Sequence, residues 1–265
     1  YNLPINNNGT SLHGGIKGFD KVNWDIISYD SKDKRYLKLN YLSKDLEEGY
    51  PGNLNIYVTY SLSDDNELTV EYEAESDKAT VLNLTQHTYF NLSGESSGDI
   101  LNHELEINAD SYLPVNKKII PTGEIKNVGD SPFDFRKKKK IGRDLNQIDD
   151  QLILGNGYDH CWVLNNYNKK LRKISEVYSD DSKIKMEVFT DLPGVQLYIG
   201  NFLDGSLKSK KGIKYIKRSG FCLETQFFPN SPNLESFPST ILEPGQKFNS
   251  KTSFKFFVER NWIKQ

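Results

Sequence analysis

Only two cysteines occur in the chain, Cys161 and Cys222, too few for a disulfide framework and without the paired spacing of a structural zinc site. Both read as buried thiols in a reducing compartment. No run of eighteen apolar residues is present, so no membrane-spanning helix is expected. Tyr1 to Asn8 combine neither a basic start nor an apolar stretch, which points to a cytoplasmic protein. On that reading the sequons at Asn8, Asn83 and Asn91 are chance matches. An excess of either charge is missing as well: 34 Lys and Arg against 36 Asp and Glu leave a net charge of -2. Nothing in that balance attracts nucleic acid or an anionic membrane, and a small neutral ligand fits better. The one dense basic run, Arg136-Lys137-Lys138-Lys139-Lys140, reads as a solvated loop or edge strand. No fixed-length repeat and no Pro/Gly/Ser-rich linker divides the 265 residues, so a single domain over 1–265 is expected.

Helical periodicity is scarce, and strand patterns take its place. Residues Asn53 to Leu62 alternate polar and apolar, Asp64-Asp65-Asn66 supplies a turn, and Leu68 to Ala74 alternates again, which predicts a β-hairpin. The same pattern returns at Glu104–Ala109, Ile184–Thr190, Val195–Ile199 and Ser253–Val258. The fold class is therefore all-β, an antiparallel sandwich or barrel. In such a fold a site is assembled from distant loops and strand ends, so reactive residues should be scattered along the chain.

Four segments carry chemistry. Glu224 sits inside the apolar and aromatic run Phe221 to Pro229, where a carboxylate is costly to bury and its pKa rises toward that of a general base. His87 lies in Thr85-Gln86-His87-Thr88-Tyr89-Phe90-Asn91-Leu92 among aromatics and hydroxyls; a core histidine and a catalytic one fit equally. His13 precedes the glycine pair in Ser11-Leu12-His13-Gly14-Gly15. Asp159 and His160 stand between aromatics in Gly157-Tyr158-Asp159-His160-Cys161-Trp162, where stacking would suit a sugar ring.

These blocks, in this order, resemble the aldose 1-epimerases, or galactose mutarotases, and the likeness runs from end to end. It includes Glu48-Gly49-Tyr50-Pro51-Gly52, Pro193-Gly194-Val195-Gln196, Gly200-Asn201-Phe202-Leu203-Asp204-Gly205, Leu223-Glu224-Thr225-Gln226 and Leu242-Glu243-Pro244-Gly245. The resemblance implies a large antiparallel β-sandwich of the galactose mutarotase-like supersandwich type. It also implies a cofactor-independent isomerase that interconverts the α and β anomers of hexoses such as galactose and glucose. Glu224 matches the family's base and His87 its acid, while His13, Thr88, Tyr89, Asp159 and Gln196 fall at substrate-binding positions. No metal is implied, and no ligand cluster is visible in the sequence. His160, beside Asp159, reads as structural. Cys161, Phe227 and Asn230 depart from commoner family residues beside the site.

Family members also carry strands ahead of the Ser-Leu-His-Gly-Gly block, with an arginine that contacts substrate. This chain starts after them, so the sandwich is expected to be N-terminally truncated. Two other readings compete: a noncatalytic sugar-binding or sensor domain, and an epimerase of phosphorylated hexoses. The second should bring several basic residues to the cleft, and none of the site blocks supplies an arginine.

Overall fold

Alternating strand patterns of this kind bury one face each, and two such faces close a core. The computed structural model describes residues 1–259 and divides into two compact units, one formed by residues 1–84 and 230–253, the other by 85–229 and 254–259. The all-β expectation holds: the only α-helix among the described residues is α1, Asp150–Gly155.

In the first unit, β1 (Asp25–Asp30), β2 (Tyr36–Ser43), β3 (Leu54–Leu62) and β4 (Glu67–Ser76) lie side by side, antiparallel. The predicted hairpin is β3–β4, with Leu62 opposite Leu68 and Asn66 at φ 58° in the turn. Alternate residues Leu54 and Ile56 point inward and meet Ala74, Leu82 and Leu242, with Phe19 and Trp24 packed against them. Short β5 (Thr80–Val81) pairs with a late segment at Ile241–Leu242.

The second unit holds β6 (Glu104–Ile107), β7 (Ser111–Leu113), β8 (Lys126–Asn127), β9 (Lys139–Lys140), β10 (Asp159–Val163), β11 (Arg172–Tyr178), β12 (Ile184–Thr190), β13 (Gly194–Tyr198) and β14 (Cys222–Gln226). The Ile241–Leu242 strand is β15, and the last strand, β16 (Phe248–Val258), passes from the first unit into the second. One antiparallel sheet of the second unit runs β14-β13-β10-β7-β8; opposite it lie β12, β11, β6 and β9, also in antiparallel contact.

The core of this unit is the space between the two layers. Tyr112, Trp162, Val195, Leu197 and Leu223 face it from the five-stranded sheet, and Leu105, Ile107, Ile174, Val177, Met186, Val188 and Phe254 from the other side. Phe133 is its aromatic centre: it stacks on Tyr112 at 4.2 Å and meets Tyr158, His160 and Trp162 edge-on or tilted. Because side chains alternate along a strand, residues at even spacing from these apolar positions are turned to the sheet's other face.

The basic run proves to be an edge strand in part and a set of ion pairs. Arg136 bonds Asp134 at 2.7 Å and Lys138 bonds Glu176 at 2.6 Å, while Lys139–Lys140 form β9 at the sheet edge. Lys139 departs from the solvated expectation, because its ammonium is buried against Asp144 at 2.6 Å and over the Phe135 ring at 4.2 Å. Three of its five charges are thus committed to carboxylates, while Lys137 and Lys140 stay exposed to solvent as the sequence led us to expect.

Phe133→Ala should destabilise the fold by about 3–5 kcal/mol, since the cavity left among four aromatic rings closes poorly. Urea unfolding should show the loss as a lower midpoint at unchanged slope.

Candidate functional site

The register of the five-stranded sheet assembles the site. Cys161, Gln196 and Glu224 are direct cross-strand neighbours on β10, β13 and β14, and Asp159, Tyr198 and Cys222 form the adjacent row. All six share one face, because each is two residues from a member of the other row. The opposite face carries Trp162, Val195, Leu197 and Leu223 into the core. A polar row on the back of an apolar sheet is the physical reason that an acid can stand inside the run Phe221 to Pro229.

Glu224 is 7% exposed. Removal from water pushes its carboxyl up to about 8, with the negative charge of Asp159 adding to the rise. Asp159 is itself pushed up by desolvation, to about 6, against a hydrogen bond donated by Gln196 Nε2 to its Oδ1 at 2.8 Å. The pair therefore loses its protons in sequence, Asp159 first, and Glu224 ionises against the charge already there. Gln196 Oε1, left over by that bond, is a buried acceptor with no donor among the described residues.

His87 reaches the same face from a segment without regular structure, and this segment is held against β14 at both ends. Gln86 Nε2 donates to the Leu223 carbonyl at 3.2 Å, and Gln86 Oε1 accepts from the Thr88 amide at 2.9 Å. Three residues on, Phe90 and Phe221 exchange both backbone hydrogen bonds, at 2.7 and 2.9 Å. Gly220 eases this approach, since a Cβ there would come within 3.2 Å of Tyr89 Cβ. The result places His87 Nε2 3.6 Å from Glu224 Oε1, with the imidazole one-third exposed and the carboxylate nearly covered.

Aromatic rings set the imidazole plane. Tyr89 stacks on His87 at 5.2 Å, Tyr198 meets it edge-on at 6.1 Å, and the two tyrosine hydroxyls bond each other. Tyr198 Oη also accepts from the Phe202 amide at 3.0 Å, which fixes the loop after β13. Asp159 is anchored from behind: Asn201 holds the carbonyls of Gly155 and Tyr158, and the Asp159 amide donates to His160 Nδ1 at 3.2 Å. His160 itself is fully buried against Phe133 and Tyr112, and burial lowers its pKa to about 3, so it is a neutral structural ring.

Of the seven residues singled out from sequence, His87, Thr88, Tyr89, Asp159, Gln196 and Glu224 all belong to the second unit. His13 belongs to the first, at φ 54° in a loop tied by Asn6, whose side chain bonds Leu12 and Gly15, and by Glu48, which accepts from the amides of Ile16 and Lys17. Desolvation lowers the pKa of the His13 ring. An open apolar hollow of about 340 Å³ in the first unit, lined by Asp30, Tyr36, Tyr60 and their neighbours, contains none of the seven.

Sequence reasoning missed Tyr198 and Cys222. The signal was available in the period of two, counting from Gln196 and from Glu224. It also saw no cluster of metal ligands. Folding corrects that: among the described residues, ligand atoms of His87, Cys222 and Glu224 lie within 4.8 Å of one another.

Residues 1–255 match the family model described as aldose 1-epimerase. The galactose mutarotase of Bos taurus is 46% identical over 260 residues, covering 97% of this chain and 72% of that protein. The aldose 1-epimerase of Escherichia coli K12 is 40% identical over 250 residues, covering 94% of this chain and 70% of that protein. Among solved structures, the galactose 1-epimerase of Lactobacillus acidophilus superposes with a TM-score of 0.84 at 32% identity, covering 97% of this chain and 73% of its own. The mutarotase-like fold expected from the sequence is thus present, and the chain belongs to the aldose 1-epimerase family.

Proposed function

We propose that the chain is a cofactor-independent mutarotase that interconverts the α and β anomers of a hexose such as galactose or glucose, with Glu224 as base and His87 as acid. The observation that supports this most is the 3.6 Å separation of His87 Nε2 and Glu224 Oε1 on one sheet face. Anomer exchange needs a proton taken from the C1 hydroxyl and one given to the ring oxygen, and both oxygens are bonded to the same carbon. An acid and a base for this reaction must therefore converge on a single small region.

Glu224 takes the hydroxyl proton as the imidazolium of His87 protonates the ring oxygen, and the bond between C1 and that oxygen breaks to give the open aldehyde. Rotation about the C1–C2 bond presents the other carbonyl face. The ring hydroxyl then attacks C1, returning its proton to His87, while Glu224 gives its proton to the new C1 hydroxyl. The cycle ends with both groups as they began. Gln196 Oε1 and Asp159 are acceptors for sugar hydroxyls, and Tyr89 offers its exposed ring to the sugar. Thr88 and His13 keep their binding roles on the family resemblance alone. A neutral hexose agrees with a chain whose basic run has three of its five charges held in ion pairs. Two free, buried cysteines suit a cytoplasmic setting. Among the described residues no helix is long and apolar enough to cross a membrane.

Glu224→Gln and His87→Asn should each lower kcat for α-galactose mutarotation, followed by polarimetry, by about 10²–10⁴-fold with the far-ultraviolet circular dichroism unchanged. Near-normal turnover in either variant would remove the assigned role. Asp159→Asn should raise KM by about tenfold or more, as expected for loss of a charged acceptor to a substrate hydroxyl.

The pH dependence has a definite sign. Glu224 works deprotonated, so its raised pKa of about 8 places the acid limb of kcat/KM there, activity falling as pH drops through that value. Asp159→Asn removes the adjacent negative charge, so the limb should move to lower pH in the surviving activity. A limb that stays in place would show that Asp159 does not act on the base.

A further inference from the structure

The polar face that carries Glu224 also carries a thiol for which mutarotation has no use. Cys222 lies two residues before Glu224 on β14, fully buried, and its side chain is turned to the same face as that of Glu224. With the imidazole of His87, the three offer one nitrogen, one sulfur and one oxygen, all within 4.8 Å of one another, and the nitrogen and oxygen stand 3.6 Å apart. This donor set is the one zinc takes in proteins, whereas a thiolate is a poor ligand for magnesium or calcium.

The geometry is close to what that ion requires. Bonds of about 2.0–2.3 Å around a tetrahedral centre put ligand atoms roughly 3.3–3.8 Å apart. The nitrogen–oxygen separation already meets this, and the widest has about 1 Å to lose. Cys222 and Glu224 are fixed by the end strand of the sheet, held by its neighbour β13 on one side and by the docked 86–90 segment on the other. His87, a third exposed and outside any strand, is the member that can swing to close the set. Three ligands leave the fourth tetrahedral position to solvent, on the open side of the face.

We propose that His87, Cys222 and Glu224 form a binding site for zinc or a similar divalent ion such as cobalt, and that its occupation switches the enzyme off reversibly. On binding, the thiol of Cys222, the imidazolium of His87 and the carboxyl of Glu224 where it is protonated give their protons to solvent, and sulfur, imidazole nitrogen and carboxylate oxygen each donate a lone pair to the ion. No redox change occurs. The ion takes the nitrogen that must carry the acid's proton and the oxygen that must receive the base's, so metal and turnover exclude each other. Binding stands on the geometry of the three side chains; inhibition rests in addition on the assignment of His87 and Glu224 as acid and base.

The test is a zinc titration of galactose mutarotation in chelator-free buffer, with cobalt spectroscopy on the same protein. Wild type should lose activity as zinc is added and regain it with EDTA, and cobalt should produce a thiolate-to-metal charge-transfer band. Cys222→Ser should keep its metal-free activity, need at least tenfold more zinc for half inhibition, and show no such band. Equal zinc sensitivity in Cys222→Ser, or no band with the wild type, overturns the site. Should Cys222→Ser fail to fold, saturating galactose must weaken the cobalt band of the wild type, and a band indifferent to galactose overturns the proposal. A band without any mutarotation would support the site and fault only the catalytic assignment.

Discussion

The site depends on a short stretch of irregular backbone being held alongside a strand. Residues 86–90 have no regular structure of their own, yet they are fastened to β14 by the Gln86 side chain at Leu223 and by the paired amides of Phe90 and Phe221. That fastening brings an exposed imidazole to a buried carboxylate. A few hydrogen bonds of about 1 kcal/mol each are enough, because the core behind them fixes the strand to which the segment is tied. Gly220 matters for the same reason, since a Cβ at that point would sit tightly against Tyr89, on which the imidazole stacks.

Electrostatics follow from the sheet. One face of β10, β13 and β14 is occupied by core residues, so the other face lies over a low-dielectric slab, and carboxylates on it are poorly solvated. Glu224 and Asp159 share this environment and oppose each other's ionisation. The same desolvation raises the thiols of Cys161 and Cys222, Cys161 to about 12. A face of this kind holds protons and gives them up to solvent or substrate when a cation or hydrogen-bond donors compensate the negative charge left behind. This property links the acid–base chemistry to the metal capture inferred above.

Much of the architecture was legible because strand signals are local. The β3–β4 hairpin follows from alternation and its Asp64-Asp65-Asn66 turn, and β12 has the bounds that alternation predicts, Ile184–Thr190. Roles for Glu224 and His87 came from the family resemblance, since local chemistry left both open. Strand order was not legible: nothing near Asp159 announces that Gln196 and Glu224 stand beside it, because pairing between distant segments is decided by packing of whole faces. Cys222 was read only as a buried thiol for the same reason, and Lys139 was read as solvated because its partner Asp144 and the Phe135 ring act through the fold.

The central claim is that Glu224 is a carboxyl whose proton affinity has been raised by the sheet that carries it. Carbon-13 NMR titration of the Glu224 side-chain carboxyl, assigned by its loss in a Glu224→Gln protein, reads that affinity directly. The structure predicts a midpoint at about 8. A midpoint near the ordinary 4.5 would contradict it, because a carboxyl that ionises as it does in water is not held in the environment described for this face.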